Sequence, residues 1–193
     1  MTETNVREAK GGTPHYAAFI SYAHKDKSWA AWLHRKLESY RLPKAADHEH
    51  AGRRPLRPVF RDRDELTASS ALGPALMGAL EGSGHLLLIC SPTSAKSHWV
   101  NEEIRSYKRM HGAARILPLI VGGEPGTGGD DDCLPPALLE PEVEGGPPIE
   151  PICADARPHA DGKRLAFLKL AAGMLDIGLD ELVRRDSARR QRR

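Results

Sequence analysis

Two aliphatic runs, Leu86-Leu87-Leu88-Ile89 and Ile116-Leu117-Pro118-Leu119-Ile120-Val121, set the strongest limit on how this chain can fold. Neither alternates polar with apolar, so a strand built from either must be covered on both faces, which is the condition of a parallel sheet between helices. Tyr16-Ala17-Ala18-Phe19-Ile20-Ser21 is a third buried-strand candidate, and Pro58-Val59-Phe60 is the local candidate for a short second strand. Helical patterns separate them. Trp29, Leu33, Leu37 and Tyr40 recur at helical spacing after a start at Asp26 and Ser28. Residues 72–81 can turn Leu72, Leu76, Ala79 and Leu80 inward, and a third helix spans residues 98–111, ended by Gly112. The order β-α-β-α-β-α-β predicts an α/β fold, a parallel sheet of about five strands with helices on both faces. Its ligands are expected beyond the carboxyl ends of the strands.

The rest of the chain adds organisation. Residues 1–14 are polar, contain Gly11-Gly12-Thr13-Pro14 and read as a flexible leader to a domain over 15–183. Residues 124–150 hold eight acidic residues, no basic ones, six Pro and five Gly, which predicts a surface loop unable to pack a core. A brief fifth strand is expected within 149–154, and 164–177 reads as an amphipathic helix with Leu165, Leu168, Ala172 and Leu175 on one stripe. The net charge of +2 conceals a segregation, since residues 184–193 carry six Arg and one Asp. We read them as a basic tail or linker, beyond which a sensor domain or membrane segment is expected, and expect no nucleic-acid partner. No apolar stretch approaches the roughly 20 residues of a membrane span. Cys90, Cys133 and Cys153 are odd in number with no CxxC spacing, which fits a reducing, cytoplasmic setting.

The chain lacks the GxxxxGK phosphate loop, GxGxxG, HExxH and GxSxG, so nucleotide hydrolysis by a phosphate loop, Rossmann dehydrogenation and serine hydrolysis lose support. His48-Glu49-His50 and Asp62, Asp64 and Glu65 have ligating atoms but no supporting cluster, and no metal is expected. The more specific constellation is Trp99 with Glu103, four apart and hence on one helical face near the carboxyl edge of the sheet. An indole can stack on a base, and a carboxylate can hold ribose hydroxyls and stabilise an oxocarbenium-like transition state. Where the leaving group is already cationic, as nicotinamide is in NAD+, no acid need protonate it. The opposing reading makes Trp99 a core anchor and Glu103 a solvated helix residue paired with Lys or Arg. Glu102 is the rival carboxylate, about 100° round the helix.

Four blocks in order resemble the bacterial Toll/interleukin-1 receptor (TIR) domain: Phe19-Ile20-Ser21-Tyr22 followed by Asp26; Val59-Phe60-Arg61-Asp62 with Leu66 and Gly73; Leu87-Leu88-Ile89-Cys90-Ser91-Pro92; and Ser97-His98-Trp99 with Glu103. The resemblance covers about residues 15–121. It implies a flavodoxin-like fold and cleavage of NAD+ to nicotinamide and ADP-ribose or a cyclic ADP-ribose, commonly in antiphage defence. NAD+ is then the substrate and no cofactor is expected. It maps the catalytic carboxylate to Glu103 and substrate-binding positions to Phe19, Ile20, Ser21, Asp62, Ser97 and Trp99. Val100 departs from the Cys common at its position, and the loop glycine is displaced to Gly73. The resemblance also implies self-association through TIR–TIR contacts, and a non-catalytic signalling scaffold is its alternative function.

Overall fold

The computed structural model describes residues 15–41, 56–61 and 73–191. The leader 1–14, His48-Glu49-His50, Asp62, Asp64, Glu65, Leu66, Leu72 and the last two Arg lie outside the described residues. Five strands, β1 (Ala18–Ser21), β2 (Val59–Phe60), β3 (Leu86–Cys90), β4 (Ile116–Ile120) and β5 (Ala154–Asp155), form one all-parallel sheet in the order β2-β1-β3-β4-β5. The fold is the expected flavodoxin-like α/β arrangement. The α-helices are α1 (Lys27–Ser39), α2 (Pro74–Glu81), α3 (Pro92–Ala95), α4 (His98–His111), α5 (Pro136–Leu139), α6 (Gly162–Leu175) and α7 (Leu179–Gln191), with short 3-10 turns at His24–Asp26 and Ala113–Arg115.

The continuous apolar runs are explained by the two cores they serve. Ile20, Leu87, Ile89 and Leu119 pack with α1, α6 and α7 on one face of the sheet. Phe19, Leu86, Leu88, Cys90, Ile116 and Ile120 pack with α2, α4 and α5 on the other. Successive residues of a strand point to opposite faces, so every position must be apolar when both are covered. Gly112 ends α4 with φ of 78°, a conformation that costs a residue without Cβ little. At Gly123, also at φ 78°, a Cβ would stand 2.6 Å from the Asp131 carbonyl, so the chain leaving β4 requires glycine there.

Several boundaries differ from the sequence expectation. β1 begins at Ala18, because Tyr16 makes only an isolated bridge to Ser83. β5 is Ala154–Asp155, later than expected, and leaves Ile152 exposed. α6 is not a one-stripe amphipathic helix. Ala166, Phe167, Leu168, Leu170, Ala171, Ala172, Met174 and Leu175 are all buried, because α1 and α7 share the core that α6 enters. α7 also runs unbroken across residues 183–184, so the described part of the basic segment continues a helix whose Leu182 is fully buried. Arg164 clasps Asp186 of that helix (Nη2–Oδ2 2.6 Å).

The acidic segment 124–150 departs most from expectation, because its middle does pack a core. Cys133, Ala137 and Leu138 are buried in the second cluster. Three side chains of α4, at positions i, i+4 and i+7, hold it there. Asn101 accepts from the Ala137 amide through Oδ1 (2.9 Å) and donates through Nδ2 to the Ala95 and Ser97 carbonyls. Arg105 grips the Glu140 carboxylate with Nε and Nη2. Lys108 Nζ donates to the carbonyls of Ala137, Leu138 and Glu140 at 2.7–2.9 Å, cationic capping of the end of α5. The absence of basic residues in the loop thus has a structural counterpart, since the cations are supplied by α4.

Candidate active site

The carboxyl ends of β1 and β3 meet α4 at the edge of the sheet, as the topology requires of a ligand-binding crevice. Ser21, the last residue of β1, donates its hydroxyl to Glu103 Oε2 at 2.5 Å. Glu103 is 3% exposed. The expectation of a solvated helix residue is therefore overturned: α4 turns this carboxylate toward the strand ends, and the serine offsets part of the cost of removing it from water. Trp99, one turn earlier, is 36% exposed, with its ring edge-on to His98 at 5.4 Å. The core-anchor reading of Trp99 fails on that exposure, and the two residues exchange the environments that reading gave them.

The remaining site residues fall into different places. Ser97 caps α4, its Oγ accepting from the Val100 amide at 3.4 Å. Phe19, 2% exposed, stacks on Phe60 in the second core, and Ile20, 1% exposed, lies in the first. Ser21 is the member of the first-strand trio whose side chain reaches the carboxylate. Asp62 lies outside the described residues. Val100 is buried in the second core, away from the crevice. Glu102 is held by Arg105 Nη1 at 2.8 Å within the Glu102–Arg105–Glu140 ion cluster, apart from the Ser21–Glu103 pair.

Sequence reasoning missed a second buried carboxylate at this edge. Asp26, after β1, accepts from Ser91 Oγ, after β3, at 2.6 Å. Both were visible as polar residues just beyond apolar strands, but their meeting depends on β1 and β3 being neighbours. Burial pushes the Asp26 carboxyl above its ordinary value of 3.8, and the Ser91 hydrogen bond pulls it part of the way back. An acid whose folded pKa is raised binds its proton more tightly folded than unfolded, so its ionisation opposes folding above that pKa. Asp26→Asn, which keeps an acceptor for Ser91, is therefore expected to be more stable than the parent at pH 7. That advantage should fade as pH falls through the raised pKa toward 3.8, which urea titrations across pH 3–7 would read. Burial raises the thiols of Cys133 and Cys153 to about 11, so neither is a ready nucleophile at neutral pH. Among the described residues no three His, Cys, Asp or Glu side chains form a metal-holding group, and no helix is long and apolar enough to cross a membrane.

The sequence profile of the TIR-domain family matches residues 18–141. The chain belongs to the TIR-domain family. It is 32% identical over 184 residues to the NAD(+) hydrolase ApTIR of an Actinoplanes species, an alignment covering 86% of this chain and 24% of that protein. The chain thus spans about a quarter of the length of this relative. Among solved structures it is similar to the TIR domains of the activated Roq1 resistosome recognising the effector XopQ, at 22% identity and a TM-score of 0.40, covering 58% of this chain and 61% of that one.

Proposed function

We propose that this TIR domain cleaves NAD+ at the nicotinamide–ribose bond, releasing nicotinamide and ADP-ribose or a cyclic ADP-ribose. The observation that carries the reading is the Ser21–Glu103 hydrogen bond at the carboxyl edge of the sheet, one helical turn from the exposed Trp99. Ser21 fixes one carboxylate oxygen, so the negative charge is set before positive charge develops on the ribose. The nicotinamide leaving group departs neutral, and the ribose electron deficiency is what Glu103 stabilises. Trp99 offers a flat apolar face to the substrate. Water, or a nucleophilic atom of the same substrate, completes the linear or the cyclic product. The NAD(+) hydrolase relative supports the substrate class.

Glu103 is only 3% exposed, so turnover requires this edge to open. We assign that opening to TIR–TIR self-association and place the activity in antiphage defence. The reading is tested by nicotinamide release from NAD+ across a range of protein concentrations, with products separated by chromatography. Release that rises more steeply than protein concentration is the expected result; no release at any concentration, including when the protein is tethered densely to a surface, would refute the enzyme. Trp99→Ala is expected to lose about ten- to hundredfold in release, the scale of an aromatic stacking contact. Its stability should change by no more than about 0.5 kcal/mol, as for a surface position. Unchanged release with this variant would remove the ring from the site.

A further inference from the structure

A groove of about 550 Å³ runs between α1, α6 and α7, on the side of the sheet opposite α4. Its size is that of a small-molecule site. Six of its lining side chains are cationic, Lys36, Arg41, Lys163, Arg164, Arg189 and Arg190, and one is acidic, Asp186. Asp186 is already engaged by Arg164. Arg189 is positioned by donating Nη1 to the Arg41 carbonyl at 2.7 Å. Lys36, Arg41 and Arg190 have no ion pair among the described residues, and Lys163 Nζ rests on indole, 4.5 Å from the centre of the Trp29 ring and 5.9 Å from that of Trp32. A concave surface on which the described cations outnumber the described carboxylates six to one concentrates positive potential, and it attracts anions more strongly than a flat one.

The walls are aromatic as well as basic. Trp32, Tyr40 and Phe167 line the groove, Tyr40 packing edge-on to Phe167 at 5.1 Å. Tyr40 Oη is closed to solvent and has no hydrogen-bond partner among the described residues, so the groove wall holds a polar atom still to be satisfied. Separated cations suit several phosphate groups rather than one, because each can take a different phosphate. An indole beside them suits a flat ring. The geometry points to a second binding site, distinct from the Ser21–Glu103 crevice, for a soluble nucleoside polyphosphate whose phosphates lie on Lys36, Lys163 and Arg190 and whose base lies against Trp32.

The test is titration calorimetry of the whole protein with ATP, tripolyphosphate and adenosine at physiological ionic strength. ATP is expected to bind, more tightly than tripolyphosphate, while adenosine gives no heat. Lys36→Glu/Lys163→Glu/Arg190→Glu, all at exposed positions, should weaken ATP at least tenfold, and Lys36→Glu and Arg190→Glu singly should each weaken it measurably if the triple variant fails to fold. Trp99→Ala should leave ATP binding unchanged. Absence of ATP binding, survival of that binding in the charge-reversed variants, tripolyphosphate binding as tightly as ATP, or loss of binding with Trp99→Ala would each overturn the proposal. The readout is binding and not turnover, so it stands or falls separately from NAD+ cleavage.

Discussion

Glu103→Gln is expected to reduce nicotinamide release by at least about 100-fold, the scale on which preorganised electrostatic groups act. Glutamine has the shape of the parent side chain and retains an oxygen to accept from Ser21, so the folded state should keep its packing while losing the negative charge. Glu103→Ala should lose activity to the same degree and also stability, because it strands the Ser21 hydroxyl and opens space at a position that is 3% exposed. The cost of such an unsatisfied buried group is about 1–3 kcal/mol. The two variants together separate charge from packing: equal release from the Glu103→Gln variant and the parent protein would dismiss the carboxylate, whereas equal melting temperatures for Glu103→Ala and the parent would contradict its burial.

The second large effect concerns the α4 strap. Asn101→Ala removes the acceptor of the buried Ala137 amide and the donor to two carbonyls. It is expected to lower the unfolding free energy by about 2–4 kcal/mol, since at least one buried backbone group is left without a partner. Lys108→Met should act in the same direction by releasing the carbonyls of Ala137, Leu138 and Glu140. Urea unfolding gives the magnitude. Limited proteolysis gives the location, with cleavage moving into residues 124–150 if the strap holds that segment down. Unchanged stability and an unchanged cleavage pattern would mean that burial of Cys133 and Leu138 alone secures it.

Leu86–Cys90 could be recognised in the sequence as a central strand because it is buried on both faces, and burial on both faces erases alternation. A parallel sheet with helices on both faces followed from crossover rules once the strands were found, whereas the pairing of β1 with β3 is set by the strand order of the folded sheet. The environment of Glu103 could not be read, because i,i+4 spacing puts Trp99 and Glu103 on one side of a helix without saying how deeply each end of that side is covered. α5 was missed because Pro136 opens its four residues and Pro135 and Pro141 flank them, and its apolar content is outweighed by the acidic residues around it. The Asp26–Ser91 contact was missed for a different reason. Each residue stands in its own local pattern, Asp26 before α1 and Ser91 at the start of α3, and neither pattern points to the other, which becomes its partner only through sheet order.

Ser21 and Glu103 are 82 positions apart and come together only when β1 has paired with β3 and α4 has closed over the strand ends. Contacts of such long sequence separation form only after the intervening chain has been closed into a loop. No fragment ending before α4, and none beginning after β1, can assemble the pair. A nascent chain emerging from the ribosome therefore carries Ser21 without its partner until α4 is out, and because β4 and β5 follow α4 in the chain, the pair marks assembly of the first part of the sheet and not completion of the fold.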